Sequence, residues 1–290
     1  MKKTGRRNVI YRLLLLCISG AGLLILQGCV SQQFYNPRTA IHIVPATPYE
    51  PVEFFSRDKT RLKGWYIPAV TETPKGTIVH FHGNTGSMSD NLAFVDWVPD
   101  AGYNLFMFDY RGFGQSEGKI TRRGVFDDSR AALNYVGTRP DVDRNRIVVF
   151  GQSLGGANAL AVLGRFEYPE VQAIVIDSAF YSYRSVAEDQ VGKNSKIAWA
   201  KKPLSWLLVP NQLSPGPVVH RIAPTPLLFF HGTDDRVIHQ SHGERLFARA
   251  REPKQWVSVE GGRHHHSFTR FRDENVARVQ AFLDEVWRTE

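Results

Sequence analysis

The stretch R-I-V-V-F-G-Q-S-L-G-G, residues 146–156, decides the fold of this chain. A run of five residues, Arg146 to Phe150, has the apolar, β-branched and aromatic character of a buried strand and leads directly into G-Q-S-L-G. The small residues that follow, from Ala157 onward, are typical of a helix packed against a sheet. The sequence therefore predicts a strand, a very tight turn and a helix, with Ser153 in the turn.

The residue types in this turn indicate a chemical role for Ser153. Glycine is needed at 151 and 155 because a larger side chain would clash in so tight a turn, and Gly156 lets the helix approach the sheet. The serine hydroxyl then stands above the strand end at a helix N-terminus, where developing negative charge is favoured. This is the context of a nucleophile elbow, so we predict that Ser153 is a nucleophile.

On both sides of this motif, from about Val52, short apolar runs alternate with helical patterns. Near-continuous apolar runs suit strands that are buried on both faces of a parallel sheet. The alternation predicts an α/β layered fold. The predicted strands are Leu62–Ile67, Thr77–Phe81, Asn104–Phe108, Arg146–Phe150, Val171–Ile176, Leu227–Phe230 and Gln255–Val259, and the predicted helices include Phe126–Val136, Ser153–Phe166, His242–Ala250 and Asn275–Trp287.

One segment, residues 180–224, separates two predicted strands by more than a simple crossover needs. It is rich in aromatic and leucine side chains, which suggests an apolar pocket wall. Two interpretations remain open here: a small helical cap over the strand ends, or a long crossover with one packed helix.

Two further motifs flank the serine motif in a fixed order. H-F-H-G-N, residues 80–84, follows one predicted strand, and D-Y-R-G-F-G-Q-S-E-G, residues 109–118, follows the next. With G-Q-S-L-G they resemble serine hydrolases of the α/β-hydrolase fold, from about residue 52 to the C-terminus. The branch most similar is that of small esterases, thioesterases and depalmitoylase-like enzymes, because classical lipases often carry a longer glycine run at residues 82–84. The resemblance implies a mostly parallel central sheet flanked by helices.

The resemblance also implies an oxyanion hole and an acid. The backbone N–H groups of Leu154 and Asn84 are expected to form the oxyanion hole. The family pattern places the acid at Asp235 in H-G-T-D-D-R-V-I, where it would orient the base and stabilise its cation. Asp234 could be the acid or a turn residue, and Asp177, which also ends a predicted strand, is a third candidate that we interpret as structural.

The base is expected in E-G-G-R-H-H-H-S-F, residues 260–268. The family pattern places it at His264, with His265 as the next candidate, and Arg263 stands where the family usually has glycine. Nucleophile, acid and base then follow one another in the chain order that this fold demands. Adjacent histidines rarely converge on one metal ion, and no Asp or Cys ligand spacing accompanies them, so no metal site is predicted.

These residues predict a two-step acyl transfer to water from a small-molecule acyl substrate, through a covalent acyl-enzyme and without an organic cofactor. A peptidase or amidase could use the same triad, and a non-catalytic surface lipoprotein would be expected to have lost triad members. In D-Y-R-G-F-G-Q-S-E-G we expect a structural ion pair of Asp109 with Arg111, and Ser116 as a loop residue.

The N-terminus has the pattern of a secretory signal. A basic start is followed by an apolar run from Leu13 to Leu26, too short for a membrane span of about 20 apolar residues. L-Q-G-C, residues 26–29, resembles a bacterial lipobox, which implies acylation of Cys29. An ordinary signal peptide and an uncleaved anchor are the alternatives.

The resulting organisation is a signal peptide at 1–28, the lipidated Cys29 with a tether to about residue 51, and a hydrolase domain at 52–290 that includes the segment 180–224. The predicted partner is thus a membrane, through the lipid anchor. The outer membrane is favoured because Val30 follows the cysteine instead of the Asp that often retains lipoproteins at the inner membrane. Cys17 would be removed with the signal, so no cysteine chemistry is expected in the mature domain.

Net charge gives little reason to expect a nucleic-acid partner. The formal charge of +8 includes five basic residues in the predicted signal and none that is acidic, so the mature chain carries +3. We interpret the basic pairs Arg122-Arg123 and Lys201-Lys202 as solvated faces.

Overall fold

The computed structural model describes Gly22, residues 26–193 and residues 196–288. An eight-stranded sheet lies at its centre, with the order β10-β9-β8-β7-β4-β6-β3-β2. The strands are β1 (Asn36–Pro37), β2 (Glu50–Phe55), β3 (Arg61–Ile67), β4 (Thr77–Phe81), β5 (Thr85–Gly86), β6 (Asn104–Phe108), β7 (Ile147–Gln152), β8 (Val171–Asp177), β9 (Leu227–Gly232) and β10 (Lys254–Val259).

The sheet confirms the predicted α/β-hydrolase fold. Every pairing from β10 through to β6 is parallel, and only β6–β3 and β3–β2 are antiparallel. All seven predicted strands are present. The sequence analysis missed β2, an edge strand in which only Val52 and Phe54 are buried, because so short an alternation is a weak signal.

Helices cover both faces of this sheet. The helices are α1 (Met88–Asn91), α2 (Arg122–Thr138), α3 (Leu154–Leu163), α4 (Tyr183–Gly192), α5 (Lys201–Leu208), α6 (Gln240–Arg249) and α7 (Arg272–Arg288). Successive strand side chains point to opposite faces. Val149 therefore packs with α2 and α3 in one hydrophobic cluster, while Val148 packs with α7 in the other.

The segment 180–224 contains two helices that pack against each other, α4 and α5, where the crossover interpretation expected one; whether they form a cap over the strand ends stays a prediction. Ser182 begins α4 as its N-cap, because its side chain accepts a hydrogen bond from the backbone N–H of Ser185. A 3₁₀ turn at Ala198–Ala200 leads directly into α5. The chain then returns to β9 through a second 3₁₀ turn at Val219–Arg221.

The segment 29–51, predicted as a lipidated cysteine and tether, makes contacts with the domain. Residues 26–32 are helical, and β1 pairs in parallel with β5. Ser89 of α1 accepts hydrogen bonds from the backbone N–H groups of His42 and Ile43, at 3.0 and 2.8 Å. The predicted signal peptide, apart from Gly22 and residues 26–28, lies outside the described residues. Within the described ranges, no helix has the length and hydrophobicity to cross a bilayer.

Candidate active site

Ser153 stands between the end of β7 and the start of α3 in a strained conformation. Its φ is +50° and its ψ is −115°, a region that non-glycine residues rarely adopt. Such a conformation costs about 1–3 kcal/mol and persists only where the surroundings impose it. Here the backbone N–H of Ser153 donates to the carbonyl of Asp177 at the end of β8, at 2.8 Å. The strand–turn–helix expected from the sequence is therefore present.

The glycines around Ser153 are required by close backbone approach. A Cβ at Gly155 would overlap the carbonyl oxygen of Phe81, and one at Gly151 would lie 2.6 Å from the Cα of Gly156. Neither backbone can yield, because both belong to the sheet or to the helix packed on it. The steric argument made from the sequence thus agrees with the structure.

A chain of hydrogen bonds links Ser153 to His264 and Asp235. Oγ of Ser153 lies 3.1 Å from Nε2 of His264, and Nδ1 of His264 lies 2.6 Å from Oδ2 of Asp235. A carboxylate can only accept, so Nδ1 carries the ring proton and Nε2 is free to accept from the serine hydroxyl. The structure brings together the three side chains that the sequence proposed as nucleophile, base and acid.

Asp235 is held as a carboxylate at the turn that follows β9. Its Oδ1 accepts from the backbone N–H groups of Val237 and Ile238, at 2.8 and 2.9 Å, while Oδ2 faces His264. Burial by itself would raise the pKa of Asp235, but its contacts with His231 and His264 outweigh burial and hold that pKa well below its usual value. The carboxylate is thus charged throughout the neutral range.

His264 is kept neutral by its surroundings. Burial lowers the pKa of His264 first, and the neighbouring His265 lowers it further. Asp235 and Asp177 oppose this shift without reversing it. A neutral imidazole with a free Nε2 is the state that can accept a proton from Ser153.

His265, the alternative base, belongs to a different pair. Its Nδ1 lies 3.6 Å from Oδ2 of Asp177, beyond hydrogen-bonding distance, and its backbone has φ +63°. Oδ1 of Asp177 accepts from the hydroxyls of Ser267 and Ser178, at 2.8 and 3.0 Å. Asp177 therefore fastens the histidine loop to the sheet, in line with its interpretation as structural.

The remaining candidates lie around this centre. Asp234 is exposed, and its backbone N–H donates to the carbonyl of Gly262 at 2.9 Å, so it is a turn residue. His266 begins the 3₁₀ turn His266–Phe268. Among the residues that the structure describes, no group of three or more His, Cys, Asp or Glu could hold a metal ion.

The two expected oxyanion donors lie beside Ser153. Leu154 is the first residue of α3, where a backbone N–H has no partner within the helix. Both Leu154 and Asn84 line the pocket that contains Ser153. The carbonyl of Asn84 accepts from the N–H of Asn36 in β1, at 2.8 Å. This hydrogen bond fixes the peptide group that follows Asn84 in the chain.

A pocket of about 330 Å³ opens onto Ser153. Its wall is apolar, with amide side chains and the serine as the polar groups, and none of the described residues that line it is charged. A pocket of this kind suits an uncharged, apolar group of a ligand. The lining residues are Val30, Gln33, Phe34, Asn84, Ser153, Leu154, Phe180, Val186, Ala187, Gln190, Val191, Val237 and Ile238.

Sequence reasoning missed that the N-terminal segment supplies part of this wall through Val30, Gln33 and Phe34. Arg122 holds the segment in place: it donates to Oγ of Ser31 at 3.1 Å, and its guanidinium lies 4.1 Å from the ring centre of Tyr183. The prediction of Arg122 as part of a solvated face is therefore wrong. The aromatic side chains at 34 and 35, in an otherwise polar segment, were the available signal.

The expected Asp109–Arg111 ion pair is also wrong. The planar guanidinium of Arg111 instead binds the carboxylates of Asp128 and Asp58, each with N–O distances of 2.8 Å. Asp109 accepts from the backbone N–H of the first residue of α1, at 2.6 Å, and burial raises its pKa to about 7. Ser116 donates to the carbonyl of Asp109 at 2.7 Å, consistent with a loop residue.

Comparison with known proteins places this chain among the α/β hydrolases. The family model described as "Serine aminopeptidase, S33" matches residues 72–224. The chain is 39% identical over 239 residues to the uncharacterized protein YfhR of Escherichia coli K12, covering 81% of this chain and 80% of that protein. It is 32% identical over 240 residues to the alpha/beta hydrolase domain-containing protein WAV2 of Arabidopsis thaliana, covering 76% and 75%.

Among solved structures, an esterase of Pyrococcus furiosus superposes with a TM-score of 0.71 at 23% identity, covering 87% of this chain and 98% of that chain. That likeness shows a shared fold. The family match contains Ser153 and ends before Asp235 and His264. The family match therefore does not bear on the acid or the base.

Proposed function

This chain belongs to the serine aminopeptidase S33 family of α/β hydrolases, and from that premise we propose that it is a serine hydrolase cleaving an acyl ester or thioester. Ser153 is the nucleophile, His264 the general base and Asp235 the acid that orients it. The support is the short hydrogen-bonded path from Asp235 through His264 to Ser153.

The pocket favours an ester or thioester over the aminopeptidase chemistry in the family's description. An aminopeptidase must accept a positively charged amino group close to the scissile bond, and a carboxylate commonly does so. In the part of the chain that the structure describes, no Asp or Glu lines the pocket beside Ser153. An apolar acyl chain fits this wall, and the absence of charge among the described lining residues is the observation that carries the proposal.

The first half of the reaction forms an acyl-enzyme. Ser153 donates its proton to Nε2 of His264 as its Oγ attacks the acyl carbonyl carbon, and Asp235 stabilises the resulting imidazolium. The backbone N–H groups of Leu154 and Asn84 bind the oxyanion; one such donor contributes about 10²–10³-fold in rate. The C–O or C–S bond then breaks, and His264 returns the proton to the departing alcohol or thiol.

The second half regenerates the serine. Water in the pocket gives a proton to Nε2 of His264 and attacks the acyl carbon, through the same oxyanion site. The ester bond to Ser153 breaks, and His264 protonates Oγ while the carboxylic acid leaves. Each proton taken by the imidazole is returned within its half-reaction, so the cycle closes on the neutral His264 that burial favours.

We also propose that the protein is a lipoprotein of the cell envelope, acylated at Cys29, with the outer membrane favoured. Cys29 is exposed in the structure, so its thiol is open to modification. Metabolic labelling with an alkyne fatty acid should mark the wild-type chain and leave Cys29→Ser unlabelled. Equal labelling of both would contradict the anchor.

The enzymatic proposal is tested with a fluorophosphonate probe on the full chain in detergent. We expect one covalent adduct, lost in Ser153→Ala and retained in Ser116→Ala, whose serine lies in the loop. A panel of aryl esters, thioesters and aminoacyl amides of matched acyl length then separates the classes. Absence of the adduct would favour a non-catalytic surface lipoprotein, and turnover of the amides alone would favour a peptidase.

A further inference from the structure

The cap exposes a set of large apolar side chains on the face of α5 and of the turn before it. Trp199 is 83% exposed and Trp206 is 68% exposed, among the highest values for apolar side chains in the described part of the chain. Ile197 and Leu207 beside them are exposed as well. The surfaces of soluble proteins rarely expose such a cluster of apolar side chains unless it binds a partner. We call these four residues, Ile197, Trp199, Trp206 and Leu207, the docking face.

The two tryptophans project from the same side of the cap. The 3₁₀ turn with Trp199 continues directly into α5, and Trp206 follows seven residues later, about two helical turns along. Helix α5 is attached to α4 through Ser205, which is buried and donates to Glu188 of α4 at 3.2 Å. The docking face therefore points away from the domain while α5 stays fixed to α4.

The charge around the docking face is positive. No Asp or Glu occurs between Gln190 and Thr233. The two acidic residues of α4 are engaged inward, Glu188 with Ser205 and Asp189 with His242, the latter at 2.7 Å. Four lysines lie within a few residues of the face along the chain, Lys193, Lys196, Lys201 and Lys202, and the last two are exposed on α5 itself. Such a surface is complementary to an anionic partner.

The N-terminal chain leaves the domain at the same place. The side-chain amide of Gln27 donates to the carbonyl of Leu207 at 2.8 Å, and Leu26 is exposed next to it. The apolar run that starts at Leu13 ends at Leu26, and Cys29 lies three residues further on. Cys29 is two residues from Gln27, so an acyl chain on Cys29 would leave the domain near the docking face even after residues 1–28 are removed.

We propose that the docking face binds the surface of an anionic lipid bilayer. Tryptophan combines a large apolar ring with a polar N–H and favours the headgroup level, and lysines bind anionic headgroups while their stems contact apolar surface. Such a contact supplies the second attachment that stable anchoring by a lipid chain commonly needs.

Docking would turn the pocket towards the lipid. Helix α4, on which α5 packs, contributes Val186, Ala187 and Val191 to the pocket wall, and Val30 and Phe34 form the wall on the N-terminal side. The pocket thus lies between the helix that carries α5 and the N-terminal segment. The substrate is then an acyl compound resident in the membrane; this last step alone rests on the proposed function.

Contact with lipid is measured by quenching of tryptophan fluorescence. The full chain is reconstituted into phosphatidylcholine–phosphatidylglycerol vesicles whose acyl chains carry bromine, which quenches only on contact. We expect Trp199→Phe with Trp206→Phe to remove most of the quenching, and the matched control Trp256→Phe with Trp287→Phe to retain it. Equal quenching in both double variants would overturn the proposal, as would a lipid-free dimer that buries Trp199 and Trp206.

Charge reversal tests the lysines through activity. Lys201→Glu with Lys202→Glu should lower hydrolysis of a vesicle-borne ester by roughly tenfold or more, and leave a water-soluble ester in detergent unaffected. The control Arg144→Glu with Arg251→Glu makes the same change in charge. These two arginines precede the amino ends of β7 and β10, whereas Ser153 follows the carboxyl end of β7. If the lysine variant hydrolyses the vesicle-borne ester as fast as wild type, docking is contradicted. If wild type hydrolyses neither the vesicle-borne nor the water-soluble ester, the proposed function is refuted, and the quenching result still tests docking.

Discussion

Two histidine–carboxylate pairs lie side by side in this protein, on consecutive residues of one loop. His264 is 2.6 Å from Asp235 and 3.1 Å from the hydroxyl of Ser153, whereas His265 is 3.6 Å from Asp177. The two rings are in contact, with centres 3.9 Å apart. Both carboxylates are buried at the carboxyl ends of neighbouring strands. Only one of the pairs continues to a nucleophile.

The difference teaches that a carboxylate next to a histidine can serve chemistry or architecture, and that its other partners reveal which. Asp235 uses one oxygen on its own turn, while the second lies 2.6 Å from His264 and 3.5 Å from His231. One side-chain oxygen of Asp177 accepts hydrogen bonds from two serine hydroxyls, and its backbone carbonyl accepts from the N–H of Ser153. The first arrangement orients a base, and the second holds the loop and the elbow together.

The largest expected effect is the removal of the base. His264→Ala should lower kcat/KM by about 10⁴-fold or more, because Ser153 then has no proton acceptor. His265→Ala, the matched variant on the neighbouring residue, should retain activity within about tenfold. The measurement is steady-state kinetics on the best ester from the panel, with thermal unfolding to verify that both variants fold. Reversal of the two effects would show that His265 is the base.

Asp235→Asn should cost about 10⁴-fold in kcat in a protein that still folds. The Asn Oδ1 can still accept from the N–H groups of Val237 and Ile238, so the turn is preserved. Its amide nitrogen would face Nδ1 of His264 and favour the wrong tautomer, with the proton on Nε2. The measurement is kcat together with the melting temperature; a drop confined to stability would assign Asp235 to the fold instead.

Asp177→Asn should act mainly on stability. Burial by itself raises the pKa of Asp177, but its contacts with His265 and Ser267 outweigh burial and lower it. Its carboxylate therefore stabilises the fold at neutral pH, and that contribution is lost as pH falls through the folded-state pKa. We expect a loss of about 1–3 kcal/mol in the free energy of unfolding at pH 7.

Denaturant titrations of wild type and Asp177→Asn over the acid range would measure this loss, and the two curves should converge as the pH falls. A gap that persists in acid would show that packing, and not charge, is responsible. Activity of the folded variant should remain within about tenfold, far above that of Asp235→Asn.

The smallest effect is expected from His265→Gln. His265 lowers the pKa of His264, so the substitution of His265 should raise the pKa of His264. The other influences on this pKa remain in the variant: burial lowers it, and Asp235 and Asp177 raise it. Activity requires neutral His264 and rises with pH through its pKa; the acidic limb of the kcat/KM profile should therefore move to higher pH in the variant. A shift to lower pH would contradict the coupling between the two rings.

Some features of this protein follow from short stretches of sequence because the contacts that cause them are local. The elbow needs small residues within two positions of Ser153, and the strands need apolar residues in unbroken runs, so G-Q-S-L-G and the predicted strands identified the fold. The edge strand β2 escaped because its alternation is short. The motifs of the family, and their order along the chain, pointed to Asp235, Asn84 and Leu154, whose catalytic roles are proposals.

Tertiary structure decided what depends on contacts between distant residues. Three consecutive histidines look alike in sequence, and only the positive φ of His265 and the positions of Asp235 and Asp177 separate their partners. Arg111 could reach several carboxylates, and packing chose Asp58 and Asp128. The partner of a side chain is set by the free energy of the whole folded arrangement, which the residues adjacent in the sequence do not determine. For the same reason, the sequence alone determined the fold and the candidate nucleophile, whereas folding decided which histidine reaches Ser153 and placed the N-terminal segment in the pocket wall.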